Sequence, residues 1–307
     1  MTPFAEAWLL AFTIAATLGA GALAVLSVGI LLQERWVEPL APIFFRAGRA
    51  MPALILLALP LYFLSGTLYP WAEGRAAPVM LGGGLGILLL WAVLGHLLTR
   101  PAPTRRMAGI ALLLLVLSGA IGFEDLALSR DMGWVGSLNG LAMLVGGGAA
   151  FLGLAVLIHG PLEDPDERTG MERALLTSAV FALWLLFVPF VTVWAADLPV
   201  EAAWYLRRQQ GFWHWLTLGI ILPALVGSIV LAAVPQWGPR RMRLVCALLL
   251  VQHVALVLWT VRPDAPLAPG AAHGSPYLWA DVIVIGAIGL LLFFTARLAG
   301  RADRQSV

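Results

Sequence analysis

Lysine is missing from this chain of 307 residues, and cysteine occurs once, at Cys246. Arginine therefore carries all of the positive side-chain charge, so the placement of the 19 arginines is the whole basic signal. A single thiol excludes an internal disulfide, and no CxxC or CxxCH is present to hold an iron–sulfur cluster or a covalent haem. Charge of either sign is scarce. At 12% charged against 61% hydrophobic residues, the chain has too little polar surface to cover a soluble globule of its length. Short catalytic patterns are missing as well: there is no Walker loop, HExxH, nucleophile elbow or zinc-spaced Cys/His set, so the chain carries no complete catalytic set of its own.

What is present is apolar length. Nine stretches reach the roughly 20 residues a helix needs to cross the hydrocarbon, beginning near residues 7, 51, 77, 107, 134, 174, 212, 242 and 277. Period-2 barrel strands are not seen, so the expected fold is all-α and polytopic. The first stretch has Glu6 ahead of it where a secretion signal has basic residues, and it runs too long, so it reads as a retained helix. The loops after the first, third, fifth and seventh stretches, with the C-terminus, hold fourteen arginines, and the opposite side holds five. The positive-inside bias then puts the N-terminus outside the cytoplasm and the C-terminus inside.

Residues 160–170, GPLEDPDERTG, read as a solvated cytoplasmic connector, with residues 160–173 dividing the chain. The expected architecture is a bundle of four helices over residues 51–159, a second over 174–299, and a peripheral N-terminal helix over 7–32. Gly82 and Gly86, Gly136 and Gly140, and Gly146 and Gly148 are spaced for close helix contact. Pro60, Pro189 and Pro223 sit inside apolar segments, where each frees a carbonyl and bends the helix. Trp71, Trp134, Trp194, Trp204, Trp213, Trp215, Trp259 and Trp279 cluster at the outer boundary as an aromatic belt.

Ionisable groups at membrane depth cost at least ~2.5 kcal/mol on insertion scales, so each needs a partner or a function. His253 lies nearest the midplane. It is either a neutral imidazole bonded to a neighbouring helix or a proton-relay and ligand contact. His214, Asp125, Asp197 and Asp281 fall near the outer helix ends and could converge with Arg207 or Arg208 as relay acids, or simply face water. His96 and His159 lie near the cytoplasmic ends, at a common depth that suits either a b-type haem or ordinary interfacial residues.

The longest polar and aromatic interruption is WAADLPVEAAWYLRRQQGFWHW, residues 194–215, which the arginine count turns outward as a docking surface. Its docking residues are Trp194, Asp197, Pro199, Glu201, Trp204, Tyr205, Arg207 and Arg208, with Asp131 and Trp134 from a second outer loop. This segment resembles the ActF subunit of bacterial alternative complex III, a quinol:electron-acceptor oxidoreductase. Three more segments are similar to that family: FEDLALSRDMGW (123–134), with Asp125, Ser129, Asp131 and Trp134; VQHVALVLWTVRP (251–263), with His253, Trp259 and Pro263; and QERWVEPLAPIFFRAGRAMPALILLALPLYF (33–63).

The resemblance runs along nearly the whole chain. It implies two four-helix bundles of the NrfD-related kind and a bacterial cytoplasmic-membrane location. It also implies a multisubunit respiratory complex, with an NrfD-like membrane subunit, outer iron–sulfur and haem c subunits, and a terminal oxidase as a further associate. A quinone is the implied cofactor, with none bound covalently. Where the family carries Ser–Gln–Tyr this chain has Val188, Pro189 and Phe190, and where it carries an Asp after the His of the eighth helix this chain has Leu256. Two readings follow: a subunit contributing proton transfer or a quinone-side cavity while docking outer redox subunits, or a non-catalytic scaffold that has lost those functions. A solitary transporter needs a polar midplane site that this sequence scarcely offers.

Overall fold

The computed structural model describes residues 2–74, 77–131, 138–234, 240–264 and 278–305, with side chains described from residue 3 and, in the last segment, over 279–294. Every regular element among them is helical. In chain order these are α1 (Thr2–Leu32), α2 (Val37–Phe63), α3 (Ser65–Leu68), α4 (Ala77–Leu98), α5 (Arg105–Phe123), α6 (Asn139–His159), α7 (Pro165–Ala195), α8 (Pro199–Arg208), α9 (Gly211–Leu216), α10 (Leu222–Ala233), α11 (Arg240–Val261) and α12 (Leu278–Gln305). Eight of the spans are long and apolar enough to cross a membrane, α9 and α10 counting as one through a π-helical turn at Thr217–Ile221. The protein is a multi-pass membrane protein. The ninth predicted stretch is helical as α12, whose apolar part among described side chains is the shorter run Trp279–Phe294.

Helix ends follow local chemistry. The Thr104 hydroxyl accepts from Met107 N at 3.2 Å and starts α5. Asp164 caps α7, accepting from the amides of Asp166 and Glu167, with Pro165 in the first turn. Those two bonds, reinforced by Arg35, hold the Asp164 carboxyl below its usual value. The expected connector is thus shorter than residues 160–173: the chain leaves α6 at Gly160, whose φ of 92° suits glycine, and is helical again from Pro165. Pro223 follows the π-helical turn, which absorbs the missing amide.

Two four-helix rings are present, but their membership differs from the expectation. In the first, α1, α2, α4 and α5 each touch the next, and α5 returns to α1. In the second, α6, α7, α10 and α11 do the same. The peripheral helix is α12, laid on α1 and α2, and not the N-terminal one. Helix α1 is instead, with α6, one of the two most enclosed spans, and its Ala5, Ala7, Ala16, Ala20 and Ala22 are inaccessible.

The physical reason lies in small residues on α6. A Cβ on Gly147 would lie 2.2 Å from Thr17 O of α1, and one on Gly21 would lie 2.2 Å from Gly148 N. On its other side, a Cβ on Gly153 would meet Cys246 O of α11 at 3.0 Å. Helix α6 is therefore clamped between α1 and α11 and joins the two rings, which leaves the lone cysteine buried at a helix crossing. Gly140 also packs closely, against Ala120 O, whereas Gly82 and Gly86 face open space and take no part in a contact; Gly136 lies outside the described residues.

Candidate functional site

One end of the bundles, here called the Glu6 face, gathers the charges that the apolar helices cannot hold singly. Four carboxylates (Glu6, Asp131, Asp264, Asp281) and four guanidiniums (Arg130, Arg207, Arg208, Arg262) form one neutral lattice. Arg130, buried, donates through Nε to Leu68 O (3.3 Å), through Nη1 to Glu6 Oε2 and Val261 O (both 3.0 Å), and through Nη2 to Glu6 Oε1 and Asp264 O (3.3 Å). Five donors meet five acceptors, which is the full capacity of a guanidinium.

Arg208 is equally complete. It donates to Trp259 O (3.1 Å), Trp204 O (3.1 Å), Thr260 O (2.8 Å) and both carboxylate oxygens of Asp264. Its guanidinium carbon sits 3.5 Å from the centre of the Trp204 ring, and Trp204 meets Trp259 edge-on. Burial pulls the Arg208 group down to about 10 while Asp264 holds it up, so the cation persists at neutral pH. Arg262 pairs with Asp281 and lies 3.9 Å from Glu6, while Arg207 pairs with Asp131 and lies 3.4 Å from Asp264.

These contacts decide which predicted docking residues are available. Helix α8 carries Pro199 and Glu201 at its start and Arg207 and Arg208 at its end, in the order the helix dipole favours. Trp204 and Arg208 face inward and are buried, so they fix the helix and do not dock anything; this corrects the expectation for both. Trp213 of the expected belt is likewise core. Tyr205 is half-buried against Trp204 and Phe190. Asp131 and Arg207 are spent on each other. Trp194, Asp197 and Pro199 are exposed, Asp197 with a φ of 50°, and Glu201 is half-buried. Trp134 lies outside the described residues. The outward apolar surface is carried by Trp194 (77% exposed), Val200 and Leu206.

The proposed relay acids do not converge. Asp281 belongs to the lattice, Asp197 stands at a turn, and His214 packs against Trp215. Asp125 lines a separate cleft of about 400 Å³ on the first ring, between α1, α2, α4 and the end of α5 on the Glu6-face side. Tyr69 and Trp71 stack at 4.7 Å beside it, the Tyr69 hydroxyl donating to Leu126 O (2.8 Å) and Trp71 Nε1 to Ser129 Oγ (2.9 Å). Burial pushes the Tyr69 phenol above its usual value, so it stays a donor. A π-helical turn at Glu124–Leu128 presents Asp125 there.

His253 is inaccessible at the crossing of α1, α6 and α11. Its Nε2 bonds Thr17 Oγ1 at 2.8 Å, and Gly146 closes on Nδ1, for which the described residues offer no partner. The cavity at Asp125 does not reach it. Replacing Thr17 with valine, which preserves shape and removes the partner, is expected to cost about 1–2 kcal/mol in unfolding measurements. No loss would mean that the bond is not formed. His96 pairs with Arg100 and His159 with Gly160 O, so each has its own local partner. No group of three His, Cys, Asp or Glu side chains suited to a metal ion stands together among the described residues.

Sequence reasoning missed Glu6, Arg130, Arg262 and Asp264 as site residues. The signal was available: Glu6 opens an apolar helix, and Arg130 and Arg262 are among the five arginines on the sparsely basic side. No protein-family model matches the chain, and no curated protein matches it.

Proposed function

We propose that the chain is a membrane subunit of an ActF-like respiratory quinol:electron-acceptor oxidoreductase complex, and that its part is to hold outer redox subunits in place. The Glu6 face is the periplasmic one, in line with the arginine count and the positive-inside bias. The observation that carries this reading is the saturated arginine lattice beneath α8. It fixes a short amphipathic helix rigidly while Trp194, Val200 and Leu206 remain turned outward. A preorganised apolar patch rimmed by charge suits a protein partner, because little side-chain freedom is lost on docking. Iron–sulfur and haem c subunits are the partners the resemblance supplies, beside an NrfD-like membrane subunit and a terminal oxidase.

Affinity purification from native membranes tests it. The wild-type chain should bring down haem c absorbance in stoichiometric amount, and the double variant Trp194→Ala with Leu206→Glu should lose it while the chain itself stays folded. A chain that purifies alone, or a variant that keeps its haem c, overturns the reading.

The cavity at Asp125 favours a second role within the same complex. An apolar cleft with one carboxylate and a stacked aromatic pair suits a quinol head group, whose hydroxyl donates to Asp125. Asp125→Asn should then lower quinol oxidation by the assembled complex at least tenfold and leave co-purification unchanged. Full activity in that variant reduces the chain to its scaffold role.

A further inference from the structure

The opposite end of the bundles, the connector face, carries a groove of about 900 Å³ that the docking role does not use. It runs between α2, α6 and α12, floored by Ala15, Leu18 and Gly19 of α1, with apolar walls that include Phe45 and Leu154. Glu38 and Arg46 of α2 line it as well, and both are exposed. Neither makes a side-chain hydrogen bond or ion pair among the described residues. Arg49 also lines the groove and is already engaged within the protein. The two available charges are therefore one of each sign.

Their order in depth decides what they fit. Helix α2 starts at the connector face, just after Arg35, whose ion pairs with Asp164 and Asp166 tie that end to the connector. Glu38 stands in its first turn, and Arg46 lies roughly 12 Å deeper along the helix at about 1.5 Å per residue. A Cβ on Gly48 would touch Thr99 and Gly95 O, so this part of α2 is level with the end of α4, the depth of lipid phosphates. Helical side chains lean toward the helix start, which brings the Arg46 guanidinium nearer the surface. The carboxylate is thus outermost, the guanidinium beneath it, and the apolar groove beneath both, reaching Leu54 on α2 and Gly289 on α12.

We propose that this groove binds a phospholipid with a primary ammonium head group, of the phosphatidylethanolamine class, in the connector-side leaflet. Such a lipid carries its groups in the matching order, with acyl chains deepest, phosphate above them and ammonium outermost. The phosphate meets Arg46, whose planar guanidinium can hold two of its oxygens. The ammonium meets Glu38 and, like a lysine head, has N–H donors for it. A phosphatidylcholine head has the same charges but no N–H to donate, and a phosphatidylglycerol head turns neutral hydroxyls toward a carboxylate that calls for a cation. One exposed carboxylate thus selects among lipids that share every other contact. The inference needs only that the chain spans a membrane, so it stands or falls separately from the respiratory reading.

Native mass spectrometry of the full chain in detergent tests it, with titration by phosphatidylethanolamine, its monomethyl and dimethyl forms, phosphatidylcholine and phosphatidylglycerol of the same acyl chains. Phosphatidylethanolamine should bind about fivefold more tightly than phosphatidylcholine, from about 1 kcal/mol for an exposed ion pair at about 1.4 kcal/mol per tenfold. The methylated forms should fall between them. Glu38→Gln should remove the preference, whereas Arg46→Ala should weaken every phospholipid. Gly289→Leu, which fills the groove from a position where a Cβ meets nothing within 4 Å, should also weaken all of them. Soluble phosphoethanolamine should not displace the lipid, because it lacks the chains. Equal or tighter binding of phosphatidylcholine or phosphatidylglycerol, a preference that survives Glu38→Gln, unchanged binding in Arg46→Ala, or full displacement by phosphoethanolamine would each overturn the proposal. If a variant fails to fold, the methylation series on the parent chain decides alone.

Discussion

Glu6→Ala is expected to destabilise the protein by about 3–5 kcal/mol, the cost of leaving a buried charge uncompensated. Glu6 is inaccessible and takes two of the five hydrogen bonds of Arg130, whose side chain is 1% exposed, and it also faces Arg262. Its removal leaves Arg130 without its carboxylate and the lattice with one uncompensated buried positive charge, since Arg262 keeps Asp281. Reversible unfolding in mixed micelles measures this, and a loss under about 1 kcal/mol would show that the lattice is open to water. The double replacement Glu6→Leu with Arg130→Met should cost less than Glu6→Ala, since an ion pair exchanged for apolar groups of similar volume is often neutral. That sign separates a pair which adds stability from one which mainly fixes geometry.

The geometry it fixes is specific. Arg130 ties α1, the end of α3 and the end of α11 together, and Arg208 ties α8 to the end of α11. Weakening Glu6 should therefore also loosen the α8 platform and reduce partner retention, although Glu6 touches no exposed docking residue. The structural and functional consequences of one buried carboxylate are joined through shared acceptors on residues 259–264.

Apolar length alone made the spans legible, because hydrocarbon thickness sets a minimum that periodicity does not disguise. Ring membership was not legible. The connector expected at 160–173 suggested a division between α6 and α7, but loop position says nothing about which helix faces are small enough to meet. The run Gly146–Gly148 carried that information, yet its partners on α1 and α11 are more than a hundred residues away in sequence. The site divided in the same way. A polar and aromatic segment at 194–215 could be recognised as unusual, whereas the inward turn of Trp204 and Arg208 depends on the Trp259 ring and Asp264, which no local pattern predicts. Glu6 was visible as an anomaly and was read only as a flank, since its meaning comes from Arg130, 124 residues later.

The crossing of α1 and α6 sets the second large effect. Gly147→Ala places a methyl group where the Thr17 carbonyl carbon and oxygen already lie 2.5 and 2.2 Å away, and both are backbone atoms that cannot rotate aside. The helices must separate, so the loss is expected at or above the upper end of the roughly 1–3 kcal/mol typical of overpacking. Gly21→Ala meets Gly148 N at 2.2 Å across the same crossing and should cost a similar amount. The two together should cost less than their sum, because the first methyl has already parted the helices. Gly83→Ala is the internal control: with nothing within 4 Å, it should be neutral or add up to about 1 kcal/mol through helix propensity. The Gly147 variant also has a local reporter. Thr17 bonds His253 Nε2, so displacing Thr17 breaks that bond, and the imidazole N–H should exchange with solvent faster in Gly147→Ala than in the parent. A variant that loses stability while His253 remains fully protected would show that the strain is relieved elsewhere, by a bend in α6 and not by movement of α1.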